Sequence, residues 1–329
     1  AKVLAGRTPT EALALLGRLY SVCGQAQRAA AELALAAASA TPLAAGRHVE
    51  LEAAVARECV TEHLWRLLVD WPRKLGVDGA PDRFAHWFRR LAAGEGDWAR
   101  ELALELTTAW LGREPSRLDE WRALAAYDAW TKTAGPGFAP LFAALRAAEL
   151  AASEPAAGVV HGNTPIENAV APHAPGAEWE TGAFAQYGEH PWLAALHAAG
   201  RGLEARVGAR VVALSRLLDA LAAPGAGDAE LELDAESPAE RCGRAAVTTA
   251  RGVLVHDVTL AGGRIARYGI RTPTECNFAA HGAYRSLVAA RRATDPSAAA
   301  RLADLWALAL DPCVPYTVHA AAPAGRVGH

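Results

Sequence analysis

The sequence predicts a mainly helical α+β protein: a helical bundle with a small antiparallel β region near residues 229–275. Three observations lead there. Apolar residues recur at helical spacing along most of the chain, strict alternation is confined to one stretch, and a glycine-rich turn splits that stretch in two. The chain reads as one domain over residues 1–329, with an irregular connection at 153–190 where proline, glycine and "HGNTPIENAV" interrupt the periodicity.

The first helix opens at Thr8, Pro9 and Glu11, a capping-box pattern with proline at the first helical position. Its spacing persists to about residue 38, with Cys23 and Gly24 either inside the helix or at a break. The glycine costs a helix up to about 1 kcal/mol relative to alanine, which favours a kink or a close backbone contact. A second helix covers "HVELEAAVARECVTEHLWRLLVDW" and is expected to stop before Pro72, because a residue preceding proline is disfavoured in the α region. Further helices are expected near residues 96–111, 116–133, 138–152, 191–223, 281–291 and 295–309. The β signal is "ARGVLVHDVTLAGGRIARYGIRTPTE", two alternating runs around a turn at Ala261 to Gly263, which reads as a hairpin.

Of the 329 residues 52% are hydrophobic and 21% charged, and the formal charge is −3. That balance argues against disorder and against nucleic-acid binding by bulk charge. With no run of about 18 uncharged apolar residues, the sequence reads as soluble, with no membrane partner. Five cysteines at irregular spacing (Cys23, Cys59, Cys242, Cys276, Cys313) oppose a disulfide framework and favour a reducing, cytoplasmic setting. Each thiol is free to bind metal or simply to pack as a small hydrophobe.

Two cysteine segments near opposite ends of the chain carry the chemistry. In "SVCGQAQ" and "DPCVPYTVH" a cysteine is followed three residues later by something else, Ala26 and Tyr316. Neither supplies the paired spacing of a structural zinc site. Cys59 and His63 share a helix face at i, i+4, but Glu62 and Arg66 beside them favour an ordinary packed face. Arg251 could aim its fork of donors at an anion or make an ordinary ion pair. "TPTECNF" could set Pro273 and Thr274 in a tight turn beside Cys276, or be a strand ending in a turn. G-x-S-x-G, H-E-x-x-H, P-loop and dinucleotide-binding G-x-G-x-x-G patterns are absent from the sequence, so common hydrolase, kinase and dinucleotide chemistries have no foothold.

Read in order, these segments resemble the nickel-iron hydrogenase large-subunit family. "AGRTPTEALALLGRLYSVCGQAQ" resembles the family's N-terminal G-R-D-P stretch leading to C-G-x-C, and "LLVDWPRKLG" its D-W-P-like helix end. "TTARGVLVHDVTLAGGRIARYGIRTPTECNF" is similar to its E-A-P-R-G segment, hairpin and P-T-x-W-N-F stretch, and "DPCVPYTVH" to its C-terminal D-P-C-x-x-C-x-x-H. The resemblance implies a hydrogenase-large-subunit-like fold over nearly the whole chain.

The departures qualify what it implies about function. Cys23 and Cys313 match the two cysteines that bind nickel terminally in the enzymes. Ala26 and Tyr316 occupy both bridging positions, Ala30 replaces a histidine, Thr248 a glutamate and Cys276 a tryptophan. Arg251, Pro273 and Thr274 match positions that surround the cyanide ligands of the iron. Half-retained cysteines with a retained anion cradle look like the accessory proteins of the HupK and HoxV type. The resemblance therefore implies a maturation scaffold or carrier for iron with cyanide and carbon monoxide ligands, held transiently and without stable nickel. Cys23 and Cys313 would be its metal ligands, with Cys276 and His319 as further candidates. Partners would be the proteins of the iron-cyanide assembly complex and a hydrogenase large-subunit precursor, and the chain itself would not be an enzyme. A divergent hydrogenase, or a metal-free structural homologue like the hydrogenase-related subunit of complex I, are the alternatives.

In the enzymes' precursors a protease cuts after the histidine matching His319 once nickel is present. Without a competent nickel site that cut is not expected here, and intact-mass measurement should find "AAAPAGRVGH" still attached.

Overall fold

The computed structural model describes residues 2–20, 23–94, 96–133, 137–152, 180–223, 231–290, 293 and 295–319. The part of the expected irregular connection at 153–179, with "HGNTPIENAV", lies outside the described residues, as does "AAAPAGRVGH".

Helix α1 (Pro9–Leu19) begins with the capping box the sequence encodes: Glu11 N–H donates to Thr8 Oγ1 and the Thr8 N–H donates to the Glu11 carboxylate. It stops at Leu19, and a separate α2 (Gly24–Ala38) starts with Cys23 at its N-cap. The break at Cys23 and Gly24 is thus a helix boundary, which places the thiol at the mouth of a new helix.

The helical course that begins with α3 (Arg47–Trp65) does not stop before Pro72. It runs into a π-helical turn (Arg66–Asp70), in which Trp71 N–H donates to the carbonyl of Arg66, and continues as α4 (Trp71–Leu75). The wider turn resets the register, so Pro72 falls in the first turn of the next segment, where its missing N–H costs no bond. Helix α5 (Pro81–Ala93) was not expected from the sequence, although Phe84, Trp87, Phe88 and Leu91 keep helical spacing; a mostly polar remainder hides it. Helix α6 (Trp98–Glu105) ends in a second π-helical turn (Leu106–Leu111). Residues expected as one helix at 116–133 form a 3₁₀ helix (Pro115–Arg122) and α7 (Leu124–Trp130), and α8 (Ala139–Ala152) follows. After a short α9 (Ala183–Tyr187), the expected 191–223 helix is divided into α10 (Pro191–Ala198) and α11 (Gly202–Ala222), because Gly200 turns the chain at φ +73°.

Helix α11 is the axis of the bundle. Every residue from Gly202 to Ser215 is buried, and it packs against α3, α6, α8, α9 and α10. It nevertheless carries Glu204, Arg206 and Arg210 into the interior, each of them paired.

The antiparallel sheet has the order β1 (Leu233–Glu236), β2 (Cys242–Thr249), β3 (Gly252–Ala261), β4 (Arg264–Arg271). The expected hairpin is β3–β4, pairing Val258 with Tyr268, and its turn residues Gly262 and Gly263 take φ +57° and +73°. Helix α2 lies across β2 and β3 so closely that a Cβ on Gly243 would sit 1.9 Å from the Ala34 carbonyl oxygen. "PTECNF" is neither a strand end nor an isolated turn: it is α12 (Pro273–Phe278), opened by a capping box of Thr272 and Glu275. Helices α13 (Ala283–Ala289) and α14 (Pro296–Leu310) complete the bundle, and α14 also packs on α11. Among the described residues no helix is long and apolar enough to cross a membrane.

Gly243→Ala should lower stability by about 3 kcal/mol in urea unfolding, because backbone on both sides must move to admit the methyl group. Gly262→Asn, in an open turn that asparagine tolerates, should change it by less than about 0.5 kcal/mol.

Candidate metal centre

Where α14 ends, Asp311 adopts a left-handed conformation (φ 55°) that turns its side chain into the protein. The residue is 1% exposed and meets three arginines from three parts of the fold. Arg66 comes from the π-helical turn after α3, Arg210 from α11 at 3.1 Å, and Arg251 from the β2–β3 turn at 3.2 Å. Burial alone would raise the Asp311 carboxyl, but Arg251, Arg210 and Arg66 outweigh it and hold it well below the ordinary carboxylate range. Arg66 is also paired with Asp70, and Arg251 with Glu62.

Arg251 sits in a turn held from behind. Its N–H donates to Thr249 Oγ1 at 3.2 Å, Val253 N–H donates to Thr181 Oγ1 at 3.0 Å, and Thr181 exchanges two 2.9 Å hydrogen bonds with the Asn277 side chain. Gly252 adopts φ +122°, and a Cβ there would lie 2.1 Å from Thr181 Oγ1, so only glycine fits after the arginine.

Two residues beyond Asp311, Cys313 is clamped by Thr274. The Cys313 N–H donates to Thr274 Oγ1 at 3.0 Å, and the Thr274 hydroxyl donates to Cys313 Sγ at 3.2 Å. Thr274 can do this because buried Pro273 and the capping box fix the first turn of α12. Cys23 lies within electrostatic reach of Cys313 and of the Arg251 guanidinium. Burial, then Glu58 and Cys313, push the Cys23 thiol up to about 11, while Arg251 and a long contact from Gln27 Nε2 (3.9 Å) act in the other direction. The structure therefore joins Cys313 to Thr274, beside Pro273, and sets Cys23 within electrostatic reach of Cys313 and Arg251.

An acidic pair on α3 borders the same place. Cys23 has no side-chain oxygen with which to cap α2, and Glu58 caps it instead, accepting from Gln25 N–H at 2.7 Å and Ala26 N–H at 3.1 Å. Burial raises Glu58 to about 7 despite those bonds, and neighbouring Glu62 adds to the rise.

The other candidate residues fall elsewhere. Cys276 lies under the electrostatic influence of Arg271 and Glu180, and burial pushes its thiol up to about 11. His319 is exposed. Tyr316 extends its hydroxyl to the Asp304 carbonyl at 3.4 Å. Ala26 and Ala30 are sealed within the face that α2 packs on the core. Thr248 is buried in β2. Cys59 and His63 are buried on α3, and desolvation, followed by Arg210, pulls His63 down to about 3; they form a packed helix face. Among the described residues, no group of three or more histidine, cysteine or acidic side chains is arranged to hold a metal ion.

No protein-family model matches the chain. It is 31% identical to the hydrogenase expression/formation protein HupK of Rhizobium leguminosarum bv. viciae, over 97% of this chain and 89% of that protein. It is 31% identical to the hydrogenase expression/formation protein HoxV of Cupriavidus necator, over 100% and 92% of the two chains. The chain belongs to the HupK/HoxV family of hydrogenase expression/formation proteins. The HupK of Rhodobacter capsulatus is a further member, 32% identical over 97% of this chain and 88% of its own length. The fold is that of hydrogenase large subunits. The Ni-Fe-Se hydrogenase of D. vulgaris Hildenborough superimposes with a TM-score of 0.55 at 14% identity, covering 95% of this chain and 90% of that one. An NAD+-reducing [NiFe]-hydrogenase gives 0.51 at 16% identity, over 94% and 89%.

Sequence reading did not assign Glu58, Glu62, Asp311 or Gln27 to the site. Glu58 and Glu62 stand at i, i+4 on α3, a spacing that signals a shared face, but nothing local says what that face meets.

Asp311→Asn should cost about 3–5 kcal/mol in urea unfolding at neutral pH, since it leaves buried Arg210 and Arg251 and half-buried Arg66 short of charge. Glu58 gives a pH signature. Its folded-state pKa is raised, so the native chain keeps a proton that the unfolded chain loses, and stability falls as pH rises from about 4.5 to about 7. Unfolding curves of Glu58→Gln across that window should lose this part of the slope.

Proposed function

We propose that this protein is a maturation scaffold that receives an iron carrying cyanide and carbon monoxide, holds it transiently, and passes it to the hydrogenase large-subunit precursor. The carrying observation is that Cys23 and Cys313, from opposite ends of the chain, lie within electrostatic reach of each other and of Arg251, with Thr274 donating to the Cys313 sulfur. Family membership among hydrogenase expression/formation proteins supports a role in maturation.

The residues suit such a cargo. Two thiolates are soft donors appropriate to a low-spin iron. Thr274 already donates to the Cys313 sulfur and would orient it and temper its charge. Arg251 places a fixed positive charge where cyanide would bring a negative one. Its fork is anchored by Glu62 and Asp311, so it is oriented before any cargo arrives.

Release is favoured by what is missing beside the thiols. A buried methyl group at Ala26 and a phenol directed at α14 from Tyr316 supply no bridging sulfur, so nickel has no four-thiolate seat and the iron has only two protein sulfurs. A hydrogen-cycling enzyme would need that seat. In this reading the partners are the iron-cyanide assembly proteins before loading and the hydrogenase precursor after it.

Protein purified anaerobically, after co-production with the iron-cyanide maturation proteins, should show infrared bands of iron-bound carbon monoxide and cyanide. Cys23→Ala and Cys313→Ala should each abolish them. Full bands in both variants would overturn the assignment of the thiols, and stoichiometric nickel with hydrogen uptake would favour an enzyme instead.

A further inference from the structure

Behind Cys23, on the side of the sheet, three buried polar side chains form a line. Gln27, one turn along α2, is 1% exposed, His256 of β3 is 0% exposed and Tyr268 of β4 is 6% exposed. The Tyr268 hydroxyl lies 2.8 Å from His256 Nδ1, His256 Nε2 lies 2.9 Å from Gln27 Oε1, and Gln27 Nε2 lies 3.9 Å from Cys23 Sγ.

The direction of every bond in this line follows from donor chemistry. A carboxamide oxygen only accepts, so His256 Nε2 must carry a proton and donate it to Gln27. Burial drives His256 down to about 3, so the ring is neutral and holds one N–H only. Its Nδ1 is therefore bare and accepts from the Tyr268 hydroxyl. With its oxygen committed to His256, the Gln27 amide has only N–H to offer the sulfur. We propose that Gln27 is a positioning residue for Cys23, its amide N–H held toward the sulfur by a one-way hydrogen-bond chain from Tyr268 through His256.

The inference rests on the reading of Cys23 as a ligand and deepens it. A donor aimed at sulfur favours the ligating thiolate over the neutral thiol, because hydrogen bonds to charged acceptors are the stronger ones. Thr274 supplies the equivalent donor to Cys313. Among the described residues each thiol thus has a protein donor, and the one for Cys23 is braced by the hairpin.

The test needs no iron. Full-length protein carrying ¹³C-methylmercury(II) is equilibrated with glutathione, and the methyl resonance belonging to Cys23 is identified by its loss in Cys23→Ser. The exchange passes one methylmercury cation from the glutathione sulfur to Cys23 and returns the Cys23 proton to glutathione. Gln27→Leu should shift this partition away from Cys23 by about tenfold while leaving that of Cys276 unchanged. An unchanged Cys23 partition in a folded variant would reduce Gln27 to a core-filling role and overturn the proposal. Nitrogen-15 spectra of histidine-labelled, unsubstituted protein decide the case independently of whether that variant folds. The Nε2–H tautomer at His256 is expected, and the Nδ1–H tautomer would mean that the amide presents its oxygen to Cys23. Absence of iron bands in the infrared experiment, with the mercury partition behaving as described, would reject the cargo and leave the Gln27 role intact.

Discussion

One buried carboxylate organises this protein. Asp311 draws Arg66, Arg210 and Arg251 together, and so ties the end of α14 to the π-helical turn after α3, to the central helix α11 and to the β2–β3 turn. Three guanidinium groups could not be buried side by side without it, and it could not be buried without them. Asp70 and Glu62 carry the balance outward. Because Cys313 follows by two residues, the same ion cluster that closes the bundle sets where that thiol stands.

The second thiol is placed by a different device. Cys23 is an N-cap without a capping oxygen, and the vacancy at the first turn of α2 is met by Glu58 from α3. The acid that completes the helix also opposes negative charge on the thiol, whereas Arg251 and the Gln27 amide favour it.

The substitutions that separate this chain from the hydrogenase pattern are structurally quiet. Ala26 and Ala30 let α2 lie flush on the core, as Gly243 does from the sheet side, and Tyr316 turns its phenol onto α14. Val253, Thr181 and Asn277 are joined by hydrogen bonds that hold the Arg251 turn.

Local chemistry wrote much of this in the sequence. The capping box at Thr8 and the β3–β4 hairpin were legible because each is carried by a few adjacent residues, and the same holds for the segments that carry Cys23, Cys313, Arg251 and Thr274 as candidates. The course of the chain through Pro72 was misjudged because a π-helical turn reset the register, whereas the division at Gly200, helix α5 and the helical form of "PTECNF" were missed although a glycine turn, apolar spacing and a capping box signalled them locally. What the sequence determined was the fold class and which side chains match the hydrogenase pattern. What only the tertiary structure decided was their company: Asp311 with three arginines, Glu58 on the amides beside Cys23, and Gln27 held by His256, contacts between distant segments that arise when burial leaves charges and hydrogen-bonding groups no solvent to pair with.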